Sequence, residues 1–153
     1  MLDMFRYNWQ VRDDWFEWCR ELPAEELSKE RTGGMGSILA TLFHVAKGEQ
    51  IWINQMQGTP VLIKEGVTTL EEAEGFTELT KPITEQFLQS WDEEKAGQTL
   101  TKKRRDGSDY VITYEKIIKH LISHEIHHIG QLSIWAREIG RKPVSSDLIF
   151  RDY

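Results

Sequence analysis

The chain has 153 residues and a formal net charge of −6, with 39% hydrophobic and 29% charged residues. A chain of this size fits one domain that buries roughly 70% of its unfolded surface, and its acidic balance argues against a general nucleic-acid binder, which needs a basic face to displace counterions from phosphates. The single cysteine, Cys19, cannot form an internal disulfide, and neither a signal-peptide core nor a run of ~18–20 apolar residues for a membrane span is present, so the expected location is the cytoplasm.

The first predicted helix spans Leu2 to Leu22. Met4, Val11, Trp15, Trp18, Cys19 and Leu22 fall on one stripe at helical spacing, and Phe5, Trp9 and Phe16 form a second apolar ridge beside it. So wide an apolar side suits a central bundle position or a subunit interface. Cys19, between Trp18 and Leu22, reads as core. Pro23 and the polar, glycine-rich run of residues 24–36 read as a connection. Ser37 is the expected N-cap of a second helix running to about Gln57, with Ile38, Leu42, Val45, Trp52, Ile53 and Met56 on its main stripe. A third helix is predicted from Thr69, followed by Glu71 and Glu72, to about Trp91. Phe76, Leu79, Ile83, Phe87 and Leu88 give its period, and Pro82 predicts a kink or a break.

Between Gln98 and Thr113 the pattern alternates around Asp106-Gly107, with Leu100, Tyr110 and Ile112 on either side, which predicts a short β-hairpin. The basic run Lys102-Lys103-Arg104-Arg105 beside that turn reads as a solvated loop that keeps an edge strand unpaired, with phosphate binding as its functional alternative. The last helix is expected from Tyr114 to Ile139, stopping near Gly140 and Pro143. The predicted fold is therefore all-α: a four-helix bundle over residues 1–153, with a small hairpin before the last long helix.

Four of the five histidines, His120, His124, His127 and His128, fall within this last helix. Helical projection places His124 and His128 on the core-facing stripe with Ile117, Leu121, Leu132 and Trp135, and puts His120 and His127 near its margin. Two imidazoles one turn apart on a buried face are costly unless their nitrogens find partners, and an i, i+4 pair can converge on one divalent ion. His120 and His128 are separated by about 12 Å along the axis and cannot share it. The only other histidine is His44 on the second helix, although it lies roughly 120° from that helix's main stripe. Gly48, one turn on, leaves space either for an open coordination position or for close helix packing. Glu49 sits within its own apolar stripe, so it requires pairing with a histidine nitrogen or an arginine; it is also the candidate acid–base group. Gln131 lies near the face of His124, where it could orient a ligand or satisfy a core polar group.

The second-helix pattern Leu-Phe-His-Val-Ala around His44 and the last-helix pattern His-x-x-His-His-x-Gly-Gln from His124 to Gln131 resemble the DinB/YfiT-like superfamily. The resemblance covers essentially the whole chain. It implies a bundle with a long crossover, a homodimer, and a divalent ion (nickel or zinc) on His44, His124 and His128. It also implies thiol-dependent S-transferase or isomerase chemistry on a small-molecule substrate with a low-molecular-weight thiol, although many members have no established activity. An ion on three neutral imidazoles keeps positions open for a water or a thiol that it can acidify. Two other readings stay open. His124-Glu125-Ile126-His127-His128 matches H-E-x-x-H, with Glu125 as the base of a zinc hydrolase or protease, yet no third histidine follows downstream. A bundle that holds a metal or small ligand without turnover is the non-enzymatic class.

Overall fold

A computed structural model describes residues 1–62 and 64–153. Four long helices carry the fold: α1 (Leu2–Arg20), α3 (Ile38–Gln57), α4 (Leu70–Gln89) and α6 (Tyr114–Glu138). Single-turn helices α2 (Ala24–Ser28) and α5 (Glu93–Gly97) lie in the connections, and an antiparallel hairpin of β1 (Thr99–Lys103) and β2 (Asp109–Thr113) precedes α6. Both α1 and α3 pack against α4 and against α6, so the four rods form a square with α1 facing α3 across its diagonal.

The helix boundaries follow from local chemistry. Ser37 Oγ accepts the Ala40 amide at the start of α3. At the start of α4, Thr69 Oγ1 accepts the Glu72 amide while Glu72 Oε2 reaches back to the Thr68 amide, a reciprocal cap that satisfies two otherwise orphaned donors. Gly58, at φ +67°, ends α3 in the left-handed conformation that glycine adopts without penalty. Of the kink or break expected at Pro82 the break does not occur, and one core position is corrected. The helix runs unbroken through Pro82: the proline is exposed, and the carbonyl of Glu78 that it leaves without a donor also lies on the solvent side, where water can serve it. Leu79 is 56% exposed rather than part of the core, because buried Thr77, Thr80 and Thr84 take the inward positions of α4. The connection of residues 24–36 also contains the turn α2, whose Leu27 is buried.

The core falls into two apolar clusters. One gathers Trp15, Phe16, Leu42, Leu132 and Trp135, with Cys19 inside it; burial pushes the Cys19 thiol up to about 12. The other gathers Phe5, Trp9, Ile53, Ile118 and Leu121, and Leu100 and Ile112 of the hairpin pack against it. Between them in sequence on their helices stand Arg12 of α1, Glu49 of α3 and Glu125 of α6, all buried. The bundle thus carries a charged layer between two apolar ones. Among the described residues no helix is long and apolar enough to cross a membrane.

Candidate metal centre

The i, i+4 spacing on α6 and the packing of α3 on α6 bring three imidazoles together. His44 Nε2 lies 3.0 Å from His124 Nε2, which lies 3.2 Å from His128 Nε2, and one ligand atom from each ring falls within 4.8 Å of the others. Nitrogens bound to one divalent ion at ~2.0–2.1 Å are themselves about 2.8–3.4 Å apart for cis-octahedral to tetrahedral angles. The observed separations match that range. His128 is buried, whereas His44 and His124 are half-buried, so the cluster lies at the edge of the core rather than in its middle. That placement corrects the expectation for His124: the inward side of α6 is shared with Glu125 and Ile129, which face α1, and His124 is rotated towards α3.

Protonation favours ligation. An amide oxygen only accepts, so the 2.7 Å contact between His128 Nδ1 and Gln131 Oε1 places the proton on Nδ1 and leaves Nε2 as a bare lone pair. His124 Nε2 meets two other ring nitrogens at once, and one ring proton cannot serve both contacts in line. A shared cation satisfies all three lone pairs together, so the donor set fits a divalent ion. Burial, reinforced by the neighbouring rings, lowers the pKa of His124 to about 4, and those of His44 and His128 fall for the same leading reason.

The sign of the resulting pH dependence is set by protons taken up on unfolding. Between the ordinary histidine value and about 4, the unfolded chain holds more protons at residue 124 than the folded one. The contribution of His124 is therefore complete above pH ~6.5 and lost as pH falls towards 4. Thermal melts of chelator-treated protein between pH 7.5 and 4.5 should show a falling Tm, with a shallower slope in His124→Gln; an unchanged slope would contradict burial of the His124 ring as the cause.

The surroundings of the cluster are set by two glycines and one glutamine. Gly48 lies over the His124 ring, where an added Cβ would stand 3.7 Å from His124 Cε1. That is ordinary contact: the glycine leaves the seam between α3 and α6 open without being sterically required. Gly34 differs. At φ +53° it packs against the site, and a Cβ there would come within 2.7 Å of the Trp135 ring and 3.0 Å of Gln131 Oε1. Gly34→Ala is expected to cost ~1–3 kcal/mol in a thermal or denaturant melt and to weaken metal binding as Gln131 is displaced from His128. Gln131 Nε2 also reaches His127 Nε2 at 3.1 Å, but His127 itself is exposed and outside the three-ring cluster, as is His120.

Glu49 is not at this centre. Its Oε2 accepts from Arg12 Nη2 at 2.7 Å and from Trp9 Nε1 at 3.2 Å, so the pairing is with an arginine rather than a histidine. Arg12 also grips Glu125 through Nε and Nη2, each at 2.7 Å. Both oxygens of the H-E-x-x-H glutamate are thereby engaged in the framework, away from the role of a water-activating base. Arg12, fully buried, is the key residue that sequence reading missed. Its signal was present, since Phe5, Trp9, Arg12 and Phe16 share one helical ridge.

The DinB family model matches residues 1–153. The chain is 40% identical to an uncharacterized Bacillus subtilis (strain 168) protein, YizA, over 99% of this chain and 95% of that one. Its fold is similar to the crystal structure of a DinB-like protein from Bacillus cereus ATCC 10987, with a TM-score of 0.67, 17% identity, and coverage of 94% of this chain and 93% of the other. With a whole-length family match, a close full-length relative and the bundle itself in agreement, the chain belongs to the DinB family.

Proposed function

We propose that this protein is a metal-dependent enzyme acting on a small molecule, with nickel or zinc held by His44, His124 and His128 and a low-molecular-weight thiol or water as the nucleophile. The observation that carries the reading is the convergence of three Nε2 atoms while Gln131 keeps the far side of His128 protonated. A divalent ion so held lowers the pKa of a water or thiol that it touches. The residues do the rest. Three neutral rings cancel none of a dication's charge, and His44 and His124 are open enough for a ligand to approach. A cavity of about 220 Å³ opens at His44 between Met35, Phe43, Lys47 and Val67. Met35, Phe43 and Val67 give it an apolar side, and Lys47 and Glu65 bring one charge of each sign. In this reading Glu49 serves the framework, and Cys19, buried in the core, is not the reacting thiol.

The test is a rate measured on chelator-treated protein reloaded with one equivalent of nickel or zinc, using cysteine as the thiol and 1-chloro-2,4-dinitrobenzene as the electrophile. Turnover that needs both metal and thiol and disappears in His124→Ala supports the proposal. Stoichiometric metal without metal-dependent turnover of thiol or water contradicts it and favours the non-catalytic binder. Gln131→Leu should keep the fold and lower metal affinity by about 10–100-fold, the range for losing an outer hydrogen-bond partner of a ligating histidine, as read by competition with a chromophoric chelator.

A further inference from the structure

A second concavity, of about 240 Å³, lies along the same α3–α6 seam. It is lined by Trp52 of α3, Ile112 of β2, and Lys116, Ile117 and His120 of α6. Its walls are apolar apart from two polar side chains, and two ammonium groups stand at its edge. Lys116 is part of the lining, and Lys102 of β1 reaches back so that its Nζ lies 5.2 Å from the centre of the Trp52 ring. Neighbouring Lys103 and Lys119 are paired with Asp109 and Glu115. Among the described residues, Lys102 and Lys116 have no carboxylate within 4.0 Å. In a chain of net charge −6, an apolar groove flanked by two uncompensated cations is a local reversal of sign.

The groove also lies beside the histidines. On α3, His44, Gly48 and Trp52 follow one another at single-turn spacing, and Gly48 presents only backbone between the other two. On α6, His120 is one turn before His124, with ring centres 5.4 Å apart. A molecule seated on Trp52 and Ile117 beside His120 therefore lies one helical turn from the His124 ring.

We propose that this groove binds the apolar body of an aryl carboxylate, with Lys102 and Lys116 drawing the carboxylate. The assignment deepens the reading of the histidine cluster as a catalytic centre and rests on it for the claim that the bound molecule is a substrate. The Trp52 ring with Ile112 and Ile117 favours an aromatic body over a polar one, and the two lysines favour an anion over a neutral analogue of the same shape. It also gives the basic run on the hairpin a use: Lys102 leaves the run to cap the groove, while Lys103 pairs with Asp109 and Arg104 stacks 5.0 Å from the centre of the Tyr110 ring.

The test uses nitrogen-15-labelled, chelator-treated protein, so that no ion can bind the carboxylate. It is titrated with 3-phenylpropionate and, separately, with neutral 3-phenylpropan-1-ol. The Trp52 indole signal is identified from Trp52→Phe. The expected result is a saturable shift of that signal by the carboxylate, binding about tenfold weaker for the alcohol, and loss of that preference in Lys102→Ala and in Lys102→Gln. No movement of the Trp52 signal, equal affinity for acid and alcohol, or a preference that survives both Lys102 variants overturns the proposal. The two readings fail separately. A faulty metal assignment shows as no metal uptake with this titration intact, and a faulty groove assignment shows as full metal uptake with a silent Trp52.

Discussion

Replacing Arg12 with methionine should be among the most destabilising single changes in this protein. Arg12 is fully buried and, among the described residues, is the only cationic partner of Glu49 and Glu125, which are themselves buried. Removing it leaves two carboxylates facing one another in the core with no countercharge. Breaking one buried ion pair costs ~3–5 kcal/mol, which for a chain of this size corresponds to a Tm lower by roughly 6–20 °C. Burial already pushes the pKa of Glu125 up, with Arg12 acting against that rise, so the variant carboxyl should hold its proton more tightly still. The control is the triple variant Arg12→Met, Glu49→Gln, Glu125→Gln. It removes all three charges together and should recover most of the lost stability, because the penalty belongs to the uncompensated carboxylates rather than to the missing bonds. Thermal melts monitored by circular dichroism check both. If Arg12→Met melts within a degree or two of the parent, the charged layer is not a stability element.

Alanine at His124 should produce the largest change in metal binding. His124 Nε2 is the hinge of the cluster, in contact with both other ring nitrogens. Its loss removes one of the three proposed protein ligands. Affinity should therefore fall well beyond the ~10–100-fold produced by losing an outer partner, and stoichiometric metal should be absent from the purified variant. His127→Ala is the matched comparison: it removes an imidazole one residue from His128, but one whose ring nitrogen bonds to Gln131 rather than reaching the cluster and which packs edge-on against the His128 ring. Metal content by atomic emission should be near zero in the first variant and near the parent's in the second. Since a metal that binds only the folded state raises its stability by mass action, the parent should also gain Tm on metal addition and His124→Ala should not.

Much of the fold was readable in the chain because its signals are local. Ser37 and Thr69 cap the helices they were expected to cap, Asp106-Gly107 turns the hairpin, and the long apolar periods mark α1, α3, α4 and α6 within a few residues. The misreadings have specific causes. The turns α2 and α5 are five residues each, too short to show a period. Leu79 fits the spacing of α4 by type, but the inward positions are filled by Thr77, Thr80 and Thr84, and the hydroxyls of Thr77 and Thr80 donate to the carbonyls of Ala73 and Thr77. Pro82 is tolerated because its orphaned carbonyl faces solvent.

At the site, spacing selected His124 and His128, but the orientation of His44 depends on how α3 turns against α6, which no single-helix projection contains. His44 looked misplaced because the main stripe of α3 faces the centre of the bundle, whereas the histidines meet at the α3–α6 seam beside it. The partner of Glu49 was legible as a requirement for pairing but not as a name, because Arg12 approaches from across the diagonal.

The most direct measurement is anomalous scattering from a crystal grown with one equivalent of zinc, with data on both sides of the zinc edge. One strong peak is expected about 2.0–2.2 Å from the Nε2 atoms of His44, His124 and His128, with Gln131 still bonded to His128 Nδ1. A peak held by surface carboxylates, or by the α6 histidines with the His44 ring turned away, would contradict that expectation.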